Sequence, residues 1–250
     1  MAGTIRVGVG GWTFAPWRET FFPPGVTQKR ELEYMAGRLG SIEINGTFYR
    51  TQTPATFARW RAETPEGFVF ALKGPRYATN RAALGEAGDS VGRFIDSGLA
   101  ELGDRLGPIN WQLAPTRKYD PDEMAAFLDL LPASVGGLPL RHAIEVRHAS
   151  FADGFPEQAR ARGVAVVLAG DSAYPSIEGG AEDFVYARIM GTREGEPAGY
   201  PAAELDAWAA RARAWAAAGR DVFLYVISGH KAANPAAALA LIERTSAASG

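Results

Sequence analysis

Cysteine is absent from the 250 residues of this chain. That excludes a disulfide scaffold, a zinc-thiolate site, an iron–sulfur cluster and cysteine nucleophilic catalysis. Histidine is scarce, with three in all, and no HExxH or compact histidine motif occurs. Neither sign of charge is in excess: 26 basic and 28 acidic residues leave a net charge of -2. Nucleic-acid-binding domains are usually more basic, so nucleic acid is not the expected partner unless a local basic patch exists. Long apolar runs are also missing. The aliphatic stretch VAVVLA at 164–169 is far too short to span a bilayer. The start, MAGTIRVGVGG, lacks a signal-peptide h-region and cleavage pattern. The expectation is therefore a cytoplasmic chain with no membrane partner. There is no G-x-x-x-x-G-K-[ST] phosphate loop and no G-x-S-x-G elbow. VGVGGWT supplies Gly8 and Gly10 of a dinucleotide fingerprint, but Thr13 stands where the third glycine belongs. No cofactor is predicted, and a divalent metal held by Glu43, Glu145, His148 or Asp171 is an open alternative.

What is present is a repeating pattern: a short β-branched run, then a longer stretch with helical spacing. Strands are expected at Ile5–Val9, Ser41–Asn45, Phe68–Lys73, Pro108–Leu113, Ala143–Arg147, Val164–Leu168, Phe184–Ile189 and Val222–Ile227. Between them Leu32, Met35, Ala36 and Leu39 share one helix face, as do Val91, Phe94, Ile95, Leu99 and Leu102. Met124, Phe127, Leu128 and Leu131 form another stripe, and Leu205, Trp208, Ala212 and Trp215 a fourth. A last helix starts near Pro235. The reading is an α/β chain forming a single (β/α)₈ TIM-like barrel, with residues 1–250 as one domain. An open doubly wound sheet is the competing arrangement. The turn-rich segment 170–182 predicts a shortened or irregular crossover between strands six and seven.

Strand residues alternate between the barrel interior and the helix-facing side, so polar residues at carboxyl ends are candidates for a pocket. The second strand offers Glu43 and Asn45 on one side, the third ends at Lys73, and the fourth contains Gln112. The fifth carries Glu145 and Arg147 at i,i+2, followed by His148, and the seventh carries Arg188. Isolated charges in an apolar barrel are costly, so these groups either neutralise one another in an ion-pair ring or serve a ligand. Aromatic loops follow the first two strands: Trp12, Phe14 and Trp17, then Thr47, Phe48 and Tyr49. Such walls suit a planar or sugar-like ligand, and they suit loop packing as well. Trp60, Trp208 and Trp215 fit helix-packing stripes.

These blocks resemble the DUF72 or YecE-like family. GVGGWTFAPWRETFFPPG resembles its opening, SIEINGTFYR its most distinctive block, and TPEGFVFALKGPRYAT the block with Lys73. LGPINWQLAP and AIEVRHASF extend the likeness across nearly the whole chain. The resemblance implies a TIM-like barrel and an uncharacterised activity, with only a fold-level analogy to sugar isomerases. The chain departs from the pattern at Ala114, at Met190-Gly191 where the family has histidine-glycine, and at Ile227-Ser228-Gly229 near strand eight. His230 is a candidate to replace the missing histidine.

The function expected is an enzyme acting on a small polar, anionic or carbohydrate-like substrate. Glu43 or Glu145 would transfer protons. Trp12, Asn45, Thr47, Tyr49, Lys73, Gln112, Arg147, His148 and Arg188 would bind the substrate, the cations holding anionic oxygens. A non-catalytic barrel binding a phosphorylated metabolite and a nucleic-acid-processing protein are the alternatives. No feature sets an oligomeric state.

Overall fold

The computed structural model describes residues 1–246. Each apolar run forms a parallel strand: β1 (Ile5–Gly10), β2 (Ser41–Ile44), β3 (Val69–Lys73), β4 (Leu106–Gln112) and β5 (His142–Glu145). They are followed by β6, in two segments (Ala165–Val166 and Leu168–Gly170), β7 (Phe184–Ile189) and β8 (Asp221–Val226). Neighbours in the chain are neighbours in the sheet, and β1 pairs with β8 from Ile5 opposite Val222 to Val9 opposite Val226. That last pairing rules out an open sheet split between the first and last strands. Several strands stop short of their expected ends, at Ile44, Gln112, Glu145 and Val226. Beyond those points the chain already turns into the loops of the barrel mouth.

The seam of the barrel lies inside β6. Its first segment pairs with β5 and its second with β7. Val167 bridges the gap, donating its N–H to Ile144 O at 2.9 Å. The crossover from β6 to β7 contains no helix, as its turn-rich sequence predicts. Instead it folds back on β6: Val166 N–H donates to Gly179 O at 3.1 Å, Ala181 N–H to Val164 O at 2.8 Å, and Gly180 bridges Ala165 antiparallel. This return strand takes the edge that β7 would otherwise fill, so the ring is nearly rather than fully continuous.

Alternation divides the apolar residues into two cores. Val69, Ala71, Ala143, Ala165, Val167, Phe184, Tyr186, Phe223 and Tyr225 fill the lower barrel interior. The opposite faces, including Val9, Ile42, Leu72, Trp111, Ile144 and Leu224, pack against the helices. The predicted helix stripes are buried there, with Leu131 and Trp215 only partly covered. Side-chain caps followed by proline start two of the helices. Thr53 accepts from Thr56 N–H ahead of Pro54–Ala62, and Asp120 Oδ1 accepts from the N–H groups of Asp122 and Glu123 ahead of Pro121–Asp129. Gly136 and Gly137, both at positive φ, turn a two-residue ribbon between Ser134–Val135 and Leu138–Pro139. No helix among the described residues is long and apolar enough to cross a membrane.

Candidate functional site

Above the hydrophobic and aromatic lower layers, the polar side chains of β2, β3, β4, β5 and β7 stack at the carboxyl end of the barrel. Above them opens a cavity of about 950 Å³. Lys73, Gln112, Arg147 and Arg188 form its floor, and Trp12, Asn45 and Tyr49 stand on its wall with Phe14 and Phe48. The structure thus brings together seven of the candidate residues.

The two carboxylates lie beneath the floor and do not line the cavity. Glu43 and Glu145 are both fully buried. Arg188 joins them: its Nη1 donates to Glu145 Oε2 at 2.7 Å and its Nη2 to Glu43 Oε1 at 3.1 Å. Its Nε lies 3.0 Å from Glu43 Oε2 without the alignment of a hydrogen bond. Tyr186 O–H donates to that same oxygen at 2.6 Å. Arg147 binds Glu145 Oε1 through Nε and Nη2 at 2.8 and 2.6 Å, and Asn110 Nδ2 donates to Oε2 at 3.1 Å. Arg147 Nη2 also donates to Gln112 Oε1 at 2.9 Å, and its Nη1 to Tyr174 O–H at 3.2 Å. The ion-pair ring considered from sequence therefore exists as a chain running Glu43, Arg188, Glu145, Arg147.

Lys73 stands outside that chain. Its Nζ donates to Gln112 Oε1 and lies 4.4 Å from the centre of the Phe48 ring. Burial is the largest influence on its pKa and, with the arginine charges, outweighs the carboxylates and brings it down to about 8. Glu145 shows the reverse balance. Burial pushes its pKa up, but Arg188, Arg147, Lys73 and the Asn110 hydrogen bond together hold it down at about 2. Burial lowers the Arg188 pKa, and the carboxylates more than reverse that, so its charge is permanent. With Lys73 protonated, three cations face two carboxylates, and the surplus positive charge is on the cavity side.

Several expected site residues lie elsewhere. Thr47 is buried, and its hydroxyl donates to Ile44 O at 3.0 Å and Lys73 O at 2.7 Å. It ties the end of β2 to the end of β3. His148 is half-buried and turned to its own loop, where Nδ1 accepts from Ser150 N–H at 3.1 Å and caps the turn Ala149–Phe151. His230 faces a separate cleft with Pro197 and Ala236, so it does not replace the family's histidine in this cavity. Met190 lies off the cavity, with Met190 N–H donating to Asp171 Oδ1 at 2.5 Å. Of the departure at strand eight, Ile227 and Ser228 line the wall and Gly229 does not. Trp17 is fully buried in the loop core, whereas Trp60, expected only in helix packing, lines the cavity edge-on to Trp12 at 5.4 Å.

Sequence reasoning missed Lys231, which lines the far wall with its Nζ 4.4 Å from the Phe14 ring centre. It also missed the support from the buried Asn110 and Tyr186 and the half-buried Tyr174. Asn110 and Tyr186 share the interior parity of Gln112 and Arg188, the one signal that could have found them.

Among the described residues no three His, Asp or Glu side chains converge as metal ligands. The four residues named as a metal alternative are not brought together. An arginine separates the two carboxylates, and Tyr200 O–H occupies Asp171 Oδ2 at 2.8 Å.

Eight parallel strands ringed by helices, with a polar cluster at their carboxyl ends, define a TIM-barrel-like α/β protein. The chain matches the model of the family described as "Protein of unknown function DUF72" over residues 6–249, and it belongs to that family. The protein YecE of Escherichia coli K12 is 32% identical over 164 residues, which are 64% of this chain and 55% of that one. The match thus spans about half the length of that relative. A DUF72 protein of Thermotoga maritima superposes with a TM-score of 0.76 at 18% identity, covering 98% of this chain and 99% of its own. One from Enterococcus faecalis gives 0.74 at 15% identity, covering 97% and 96%.

Proposed function

We propose that this barrel is an enzyme acting on a small polar molecule that carries an anionic group. The observation supporting this is the division of charge at the floor. Both carboxylates are turned beneath it and consumed by arginines, while Lys73, Arg147 and Arg188 present the surplus positive charge to the cavity. A carboxylate or phosphate of the substrate would meet preorganised donors there. Trp12, Phe14, Phe48 and Tyr49 would cover its carbon skeleton or ring face. In this reading Glu43 and Glu145 are positioning residues: they hold the guanidiniums in place and do not touch the substrate. Proton transfer falls to Lys73, the floor group that exchanges its proton nearest neutrality.

Thermal unfolding with small probes tests the binding half of this reading. Lactate or inorganic phosphate should raise the Tm of the full chain and glucose should not. The response to the anions should vanish in Arg147→Ala. Equal responses to glucose and to the anions, or anion responses that survive in Arg147→Ala, would refute the assignment of the cationic floor to an anionic ligand.

A further inference from the structure

Lys73 is the cation at the floor that no carboxylate claims. Among the described residues, no carboxylate oxygen lies within 4.0 Å of its Nζ, because Glu43 and Glu145 are held by Arg188 and Arg147. Its partners are one amide oxygen, Gln112 Oε1, and the face of Phe48. An amine buried beside fixed guanidiniums loses the advantage of its charged form, which is the setting that turns a lysine into a nucleophile near neutral pH. The lowered pKa agrees with that placement.

The neighbouring arginines retain capacity for a ligand. A guanidinium carries five N–H donors. Arg147 commits Nε, both Nη2 hydrogens and one Nη1 hydrogen, leaving one on Nη1. Arg188 keeps one free hydrogen on each of Nη1 and Nη2. Both side chains line the same cavity as Lys73. A carboxylate can therefore be held beside the amine without breaking the buried ion-pair chain.

We infer that Lys73 is a nucleophile toward carbonyl carbon, and that the substrate is a small oxo acid whose carboxylate rests on Arg147 and Arg188. This deepens the anionic-substrate reading and depends on it. In the step itself, the lone pair of the neutral Lys73 amine adds to the carbonyl carbon, and the carbonyl π electrons move to oxygen. The former carbonyl oxygen then leaves as water, carrying away the two amine hydrogens through proton exchange with solvent. One amine and one carbonyl thus give one imine and one water, with no change in oxidation state and no further reactant. Gln112 Oε1, accepting an N–H of Lys73, sets the direction of the lone pair. The open cavity lets the water leave and return.

The chain contains four lysines, and Lys29, Lys118 and Lys231 are exposed. Reductive trapping can therefore be assigned residue by residue. The full chain would be incubated at pH 8 with pyruvate and sodium cyanoborohydride, and labelled peptides followed by mass spectrometry. Lys73 should be labelled at least tenfold faster than Lys29 or Lys118. Acetone, which has the carbonyl but no carboxylate, should lose that preference, and Arg147→Ala should slow pyruvate labelling of Lys73 at least tenfold. Lys73 that stays unlabelled, that only keeps pace with the exposed lysines, or that reacts as well with acetone overturns the inference. Lactate, which lacks the carbonyl, separates the two readings. If it still raises the Tm through Arg147 while Lys73 fails to label, imine chemistry falls and anion binding stands; if neither occurs, both fall.

Discussion

Glu145 accepts four hydrogen bonds, two on each carboxylate oxygen, from Arg147, Arg188 and Asn110. Every donor faces an acceptor, and the full negative charge offsets two buried guanidiniums. Replacing Glu145 with Gln keeps the shape but gives one end an N–H₂ group, which must point at a donor whichever way it turns. Arg147 would then have no carboxylate partner and Arg188 only Glu43. Breaking a buried pair from one side costs about 3–5 kcal/mol, so Glu145→Gln should lower the urea midpoint by that free energy with an unchanged slope. A variant as stable as the parent would mean that Glu145 does not position the floor. The proton-transfer role expected from sequence would then return to it.

At the scale of elements, the β6 seam depends on one backbone conformation. Gly180 has φ of 81°, and a Cβ there would stand 2.3 Å from Val164 O and 2.7 Å from Val166 N. Those atoms belong to the backbone and cannot step aside. Gly180→Ala thus combines a left-handed residue with a backbone clash. It should destabilise the chain by about 2 kcal/mol or more. Amide exchange should rise first at Val166 and Ala181, whose N–H bonds form the return strand. Unchanged protection at those two amides would show that the fold-back does not hold the seam.

The seam also marks where sequence stops being informative. Eight strands and the helix stripes were legible because burial imposes periods of two and 3.6 on the apolar residues. VAVVLA is apolar at every position, so it carries no period and conceals the interruption at Val167. The same limit separates the candidate site residues. Glu43, Lys73, Gln112, Glu145 and Arg188 lie on strands, where parity fixes the side on which they emerge. Thr47, His148 and His230, with the unforeseen Lys231, lie beyond strand ends, where parity no longer fixes the direction. Thr47 was drawn to two carbonyls and His148 to its own turn, while Lys231 reached the cavity past His230. Parity on the fifth strand expected from sequence placed Glu145 and Arg147 on one side but could not order them by depth, and depth decides which of them meets a ligand.

Across the whole molecule these buried groups set the dependence of stability on pH. His142 accepts from Trp111 Nε1–H at Nδ1 and, as the tautomer this requires, donates from Nε2 to Pro132 O at 2.8 Å. Burial lowers its pKa, so the stability it contributes is present above about 6.5 and declines as pH falls. Glu145, held at about 2 against 4.5, adds a second loss between those values, on the order of 3 kcal/mol. Asp171, raised mainly by burial, works against that loss over part of the same range. On the alkaline side Lys73 acts with the same sign as Glu145. Its pKa is about 8 when folded and 10.5 otherwise, so the unfolded chain binds more protons in that window and stability should rise with pH, by up to about 3 kcal/mol. Above about pH 10 the buried hydroxyls of Tyr186, Tyr200 and Tyr225, raised chiefly by burial, resist ionisation and stability should fall again. Urea unfolding from pH 3 to 11 should therefore show a shoulder between 8 and 10. Lys73→Met, which keeps the apolar stem and removes the amine, should erase that shoulder and be the more stable protein at pH 7. A parent curve already flat through that interval would show that folding does not disfavour the charged amine, leaving Lys73 without the free base that its attack on a carbonyl requires.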